Sequence, residues 1–227
     1  MKKETEILNL IEQMNSLFNN IINAVKKDVL YYESAMKQLN TYIEIMEDEF
    51  ATLYEISPIN HVFTRIKTPE SIAEKIKRKK LPLNIDGIES LSDIVGARII
   101  CDFVDNIYTV IDSIKNNQNI KVIKEKDYIT NPKESGYRGY HMIIEIPISI
   151  EGILKNIKAE IQIRTLAMDL WAENEHKLNY KKKLINDSTK QKLKENADII
   201  WNVDLSMNDL FKKNRKKMSH IDKLSLF

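Results

Sequence analysis

One cysteine, five glycines, five prolines and two tryptophans among 227 residues exclude several architectures at once. A lone Cys101 can form no internal disulfide and fits a reducing compartment, so the cytoplasm is expected. Four scattered histidines (His61, His141, His176 and His220) give no zinc-type Cys/His spacing. Neither a Walker-type phosphate loop nor a kinase-type glycine loop occurs, which removes the two common phosphate-binding folds. No apolar run is long enough to span a bilayer, and the opening "MKKETEILNL" carries acids where a signal peptide would be apolar. No membrane partner is expected. A formal charge of only +2 offers no general attraction for polyanions, so any phosphate site must come from local clusters.

The chain has enough apolar residues, 43%, to bury one good core and carry helical extensions. Residues 4–54 contain no proline or glycine and repeat apolar side chains at helical spacing, as in Ile7, Leu10, Ile11, Met14, Leu17, Phe18 and Ile21. Two helices, broken near Asp28–Tyr32, are expected there. "SPIN" (57–60) stops the pattern. "HVFTRIK" (61–67) reads as a short strand with Arg65 and Lys67 on one side and Val62 and Ile66 on the other. "TPESIAEKIKRKK" (68–80) has Thr68 as N-cap and Pro69 at the first helical position, and Lys75 and Arg78 share a face of that helix.

Further strands are expected at 94–103, 120–129, 140–150 and 156–165, with helices at 104–117 and 166–183 and a long one over about 188–211. The basic end, "KKNRKKMSHIDKLSLF", is expected to fray. The order of helices, mixed strands and helices, then helices gives an α+β fold. Its expected divisions are N-terminal helices (1–54), a core (55–185) and a C-terminal helix with basic tail (186–227).

"KAEIQIRT" (158–165) continues an alternation that puts Ile157, Ala159, Ile161 and Ile163 on one face and Lys158, Glu160, Gln162 and Arg164 on the other. A half-solvated sheet face produces the same pattern. Arg98 interrupts the apolar run "IVGARIICDF" (94–103) and needs an anion, a carboxylate or an aromatic stack to offset its desolvation. Asp93 stands just before that run, as a cap or salt-bridge partner or as a ligand for a divalent cation. "KESGYRGYH" (133–141) concentrates two glycines, two tyrosines and three possible cations. Its plain reading is a turn between strands, and its functional reading is a loop offering a stacking ring and positive charge. Two carboxylates among many cations are what phosphoryl transfer requires.

"RIKTPESIAEKIKRKK", "DIVGARIICDFVD", "KDYITNPKESGYRGYH" and "EIQIRTLAMDLWAENEHKLNYK" resemble, in order and spacing, the synthetase domain of RelA/SpoT-type alarmone synthetases. They are most similar to the stand-alone small synthetases of the RelQ type, over about 55–185. The resemblance implies a mixed β-sheet core of nucleotidyltransferase kind, flanked by N- and C-terminal helices. It implies transfer of the β,γ-diphosphate of ATP to the 3′-hydroxyl of GTP or GDP, giving pppGpp or ppGpp and AMP. Arg65 and Arg98 would bracket the adenine, and Lys67, Lys75 and Arg78 would hold the ATP phosphates. Asp93 would bind Mg²⁺, with Glu160 as metal partner and general base. Tyr137 would stack on guanine, and Lys126, Lys133 and Arg138 would meet the acceptor phosphates. His141 and Gln162 would position the acceptor ribose, and Asp169 would read the guanine edge.

Trp171, Ala172 and Leu178 are expected to pack a helix, while His176 could orient a site residue or cap a polar patch. The hydrolase of the long family members needs a His-Asp pair, and no adjacent pair occurs here. The resemblance also implies a homotetramer and allosteric pppGpp, the Lys/Arg cluster of the tail could touch single-stranded RNA, and the choice among GTP, GDP and GMP as acceptor stays open. A related enzyme acting on tRNA ends or adenine nucleotides, and a non-catalytic nucleotide- or RNA-binding regulator, are the rival readings.

Overall fold

The computed structural model describes residues 2–53, 57–180 and 186–224. With no proline or glycine to interrupt it, the first segment forms one helix, α1 (Lys2–Leu53, 52 residues), about 78 Å long at 1.5 Å per residue. The break expected near Asp28–Tyr32 is absent. Tyr32 instead begins the buried stripe Tyr32, Ala35, Leu39, Ile43, Met46 and Phe50, whose spacing keeps one face of the helix on the sheet. The expected boundary at 54/55 falls outside the described residues, and that at 185/186 falls at the edge where they resume.

Strand β1 (Ile59–Ile66) is followed by α2 (Pro69–Lys79), where the Thr68 hydroxyl accepts from the Ser71 amide at 3.3 Å. The short α3 (Ile85–Glu89) leads to β2 (Val95–Cys101), α4 (Val104–Asn116), β3 (Lys121–Asp127), β4 (Tyr140–Ile150) and β5 (Ile153–Thr165). Two helices close the described chain, α5 (Leu166–Tyr180) and α6 (Asp187–Leu224). Helix α6 runs well past Phe211, so the fraying expected of the basic end is corrected: the backbone stays helical to Leu224. Among the described residues no helix is long and apolar enough to cross a membrane.

The sheet order is β1-β2-β5-β4-β3, with β2 and β5 parallel and the other pairs antiparallel. It is a mixed sheet in an α+β fold. Period two then sorts the side chains. Ala97, Ile99, Ala159, Ile161, Ile163, Met142 and Ile144 face the core built with α1 and α4.

The opposite face is polar and in register. Phe63, Arg98, Gln162, His141 and Lys126 form one row across all five strands. Arg65, Gly96, Glu160, Ile143 and Lys124 form the row beside it. Register alone therefore brings together side chains scattered over more than 60 positions of sequence.

Candidate active site

The polar face holds a cavity of about 430 Å³, open to solvent, floored by β2 and β5 and walled by β1 and α5. Arg65, Asp93, Arg98, Glu160, Gln162 and Asp169, all expected from sequence, line it, together with Phe63 and Glu173. Gly96 keeps the floor low: a Cβ there would meet only the Glu160 carbonyl oxygen, at 3.6 Å. A larger hollow of about 810 Å³ lies between α1 and α4. Its lining includes Glu49 and Asp112 but no lysine or arginine, so a phosphate would find no counter-charge there.

At one end of the site, Asp93 Oδ2 accepts from Lys67 Nζ and Lys75 Nζ, each at 2.5 Å. Asp93 Oδ1 is buried and has no hydrogen-bond partner among the described residues. Burial pushes the Asp93 carboxyl up, but the hydrogen bonds and charges of the two lysines outweigh it and hold the group below the ordinary aspartate range. Arg78, on the same helix as Lys75, is exposed and lies outside the cavity lining.

At the centre, Glu160 receives a hydrogen bond on each oxygen. His141 Nδ1 lies 3.3 Å from Oε1, and Gln162 Nε2 donates to Oε2 at 3.0 Å. Burial and the nearby Asp93 charge push its carboxyl up, yet the hydrogen bonds from His141 and Gln162 bring it below the ordinary value. Glu160 is thus held ionised.

On the other side, Arg98 Nη1 donates to Asp169 Oδ1 at 2.9 Å and to Glu173 Oε1 at 2.6 Å, and its Cζ sits 5.8 Å from the Phe63 ring centroid. This answers what the arginine in an apolar strand pairs with: two carboxylates one turn apart on α5. Burial lowers the Arg98 pKa, but these partners raise it further, so its charge is secure.

Tyr137 is 7% exposed. Its hydroxyl contacts His141 Nε2 at 2.5 Å and accepts from Arg164 Nη2 at 3.0 Å, and Lys133 Nζ lies 4.3 Å from its ring centroid. Lys133 and Lys126 also flank Tyr128, at 4.7 and 5.8 Å.

Arg138 departs from its expected place. Nη1 donates to the Ile129 carbonyl at 2.8 Å, and Cζ lies 4.4 Å from the Trp201 ring on α6. The reason is local backbone. Gly136 at φ +90° and Gly139 at φ +154° turn the loop on either side, so Tyr137 faces the sheet while Arg138 faces α6. Arg138 thus ties the loop to α6 and lies outside the cavity lining.

Trp171 and Ala172 pack as expected, at 5% and 7% exposed, whereas Leu178 is 47% exposed. His176 lies exposed on α5. Arg164, Phe63 and Glu173 were not singled out from sequence. Phe63 shares the strand-face parity of Arg65, and Glu173 lies one turn beyond Asp169 on α5, which was the available signal.

The model for a region found in RelA/SpoT proteins matches residues 64–185. The chain is 41% identical to the GTP pyrophosphokinase YwaC of Bacillus subtilis over 186 residues, covering 80% of this chain and 88% of that one. It is 42% identical to the GTP pyrophosphokinase YjbM of the same organism over 154 residues, covering 66% and 70%. The crystal structure of small alarmone synthetase 1 from B. subtilis, bound to its product pppGpp, superposes with a TM-score of 0.77 at 35% identity, covering 83% of this chain and 96% of that one. The family match, the sequence identities and the superposition agree, and the chain belongs to the RelA/SpoT family, with the fold of its small alarmone synthetases.

Proposed function

We infer that this protein is a GTP pyrophosphokinase that transfers the β,γ-diphosphate of ATP to the 3′-hydroxyl of GTP or GDP, making (p)ppGpp and AMP for the stringent response. One observation carries the reading: Asp93 and Glu160 share one cavity with Arg65 and Arg98, and two lysines stand on Asp93. Carboxylates for a metal, cations for phosphates and an ionised base then meet in one place.

The donor set suits Mg²⁺, since Asp93 and Glu160 offer hard oxygens and Asp93 Oδ1 is a buried acceptor without a partner. When bound, Mg²⁺ would neutralise phosphate charge and make the β-phosphorus more electrophilic. Arg98 is held by its edge through Nη1, which leaves a face of its guanidinium for the adenine, with Arg65 opposite. Lys67, Lys75 and Arg78 take the ATP phosphates. Guanine stacks on Tyr137, for which the Lys133 ammonium moves from the ring to the acceptor phosphates, beside Lys126. His141 and Gln162 place the acceptor ribose. Asp169 Oδ1 is engaged by Arg98 and Arg164, so Oδ2 reads the guanine edge.

The 3′-oxygen attacks the β-phosphorus, the bond from that phosphorus to the α,β-bridging oxygen breaks, and the electron pair leaves on AMP. The hydroxyl proton passes to Glu160.

The test is incubation with labelled ATP and GTP, GDP, GMP, ATP or tRNA as acceptor. Label should move to GTP and GDP, and movement only to tRNA or adenine nucleotide would overturn the reading. Glu160→Gln should lower turnover at least roughly 10²-fold while ATP still binds.

The same reading places the enzyme in the cytoplasm, where its nucleotide substrates are, and extends to a homotetramer activated by pppGpp. Outward apolar side chains on α6 support an assembly face. Single-stranded RNA binding rests on the basic sequence past Phe211 alone.

A further inference from the structure

Arg164 is the most deeply buried cation whose contacts reach the site, at 7% exposed, and the roles assigned above do not use it. Its Nη2 donates to the Tyr137 hydroxyl at 3.0 Å and to Gln162 Oε1 at 2.5 Å, and its Nη1 donates to Asp169 Oδ1 at 3.0 Å. A guanidinium can only donate, so the Tyr137 hydroxyl and Gln162 Oε1 are both acceptors toward it. The Tyr137 hydroxyl also meets His141 Nε2, and in the Nδ1–H tautomer, the one in which the ring accepts from Tyr137, His141 donates to Glu160 Oε1. In parallel, Gln162 accepts on Oε1 and donates from Nε2 to Glu160 Oε2. Both relays start at Arg164 and end on the two oxygens of Glu160. The third bond, on Asp169 Oδ1, shares its acceptor atom with Arg98.

We propose that Arg164 is a positioning residue for diphosphate transfer: one buried guanidinium aims Glu160 through Tyr137–His141 and through Gln162, and braces Arg98 through Asp169. The backbone accommodates this junction. A Cβ on Gly139 would lie 3.1 Å from the Tyr137 hydroxyl and 3.2 Å from Arg164 Cγ, so a side chain there would press on the two groups that must meet. A lysine would keep the charge, but its single ammonium on a flexible stem cannot present the rigid fork that spans three acceptors.

The inference rests on the proposed reaction, and the experiment separates the two. Arg164→Lys is assayed beside the wild type with ATP and GDP, with thermal melting as the control for folding. Turnover should fall roughly 10- to 100-fold, the loss typical of a group that orients an active-site ligand from behind, while the KM for ATP changes little. Tyr137→Phe keeps the ring and cuts one relay. It should lower kcat several-fold with the KM for GDP unchanged, and it decides the matter if Arg164→Lys does not fold. In the double variant the losses should be less than multiplicative, because both changes break the same relay. An active wild type with undiminished kcat in Arg164→Lys, or losses confined to KM, would overturn the positioning role and leave the enzyme assignment standing. An inactive wild type would instead remove the assignment.

Discussion

Asp93 shows how one carboxylate can serve structure and chemistry through different atoms. Oδ2 ties Lys67 and Lys75 together, and Oδ1, which has no hydrogen-bond partner among the described residues, is the atom the proposed Mg²⁺ would take. Asp93→Asn should abolish measurable diphosphate transfer, and it leaves two half-buried ammonium groups facing an amide, at a cost of about 1–3 kcal/mol. The sign of its pH dependence follows from the lowered carboxyl. A carboxyl that binds its proton more weakly folded than unfolded adds stability above its unfolded pKa, and loses it as pH falls through the folded value. The stability gap between wild type and Asp93→Asn should therefore be full at pH 7 and close below about pH 4. Denaturant titrations over that range measure it, and a gap that widened on acidification would contradict the ion triad. Asp93, Glu160 and Arg98 were legible in sequence because a charge beside or within apolar alternation is conspicuous. Arg164 was not, since alternation placed it on the polar face but could not say that α5 and the 133–141 loop bury it.

Among elements, α6 is held by buried polar groups on one face. The Asp204 carboxylate meets the Thr165 hydroxyl at 2.5 Å, and that hydroxyl also accepts from the Met168 amide at the start of α5. One turn on, Asn208 Oδ1 accepts from the Asp105 amide at 3.0 Å. The N-cap of α4 is Phe103, which cannot cap with its side chain, so α6 supplies the missing acceptor from 103 residues away. Asn208→Ala should cost about 1 kcal/mol, the usual worth of a cap, and lower the melting temperature by a few degrees. An unchanged melt would mean that water replaces the amide at no cost. The 3.6 and 2.0 periods made most elements legible, including β4 residue for residue. The continuity of α1 was not, because apolar spacing is helical on both sides of residue 30 and the choice lay with the sheet, which Tyr32 already contacts. The direction of Arg138 was equally hidden, because a loop with two left-handed glycines carries no period.

At the scale of the whole molecule, the helices divide the labour. Helices α1 and α4 cover the core face of the sheet, leaving the cavity on the polar face open to solvent, while α6 packs by one side on α4 and α5. Its other side carries Ile199, Val203, Met207 and Leu210, each at least half exposed, spaced four, four and three residues apart. That stripe lies on a single helical face, and water penalises leaving so many apolar side chains uncovered. The proposed tetramer would cover it with other copies of the chain. Val203→Glu with Leu210→Glu places two charges on the stripe, away from the core and from the cavity, so each protomer should fold as before. Light scattering should then report a smaller particle than the wild-type tetramer, with unchanged circular dichroism. If the double variant kept the wild-type mass, subunits would have to join through another surface, and if the wild type were itself monomeric the tetramer would fall.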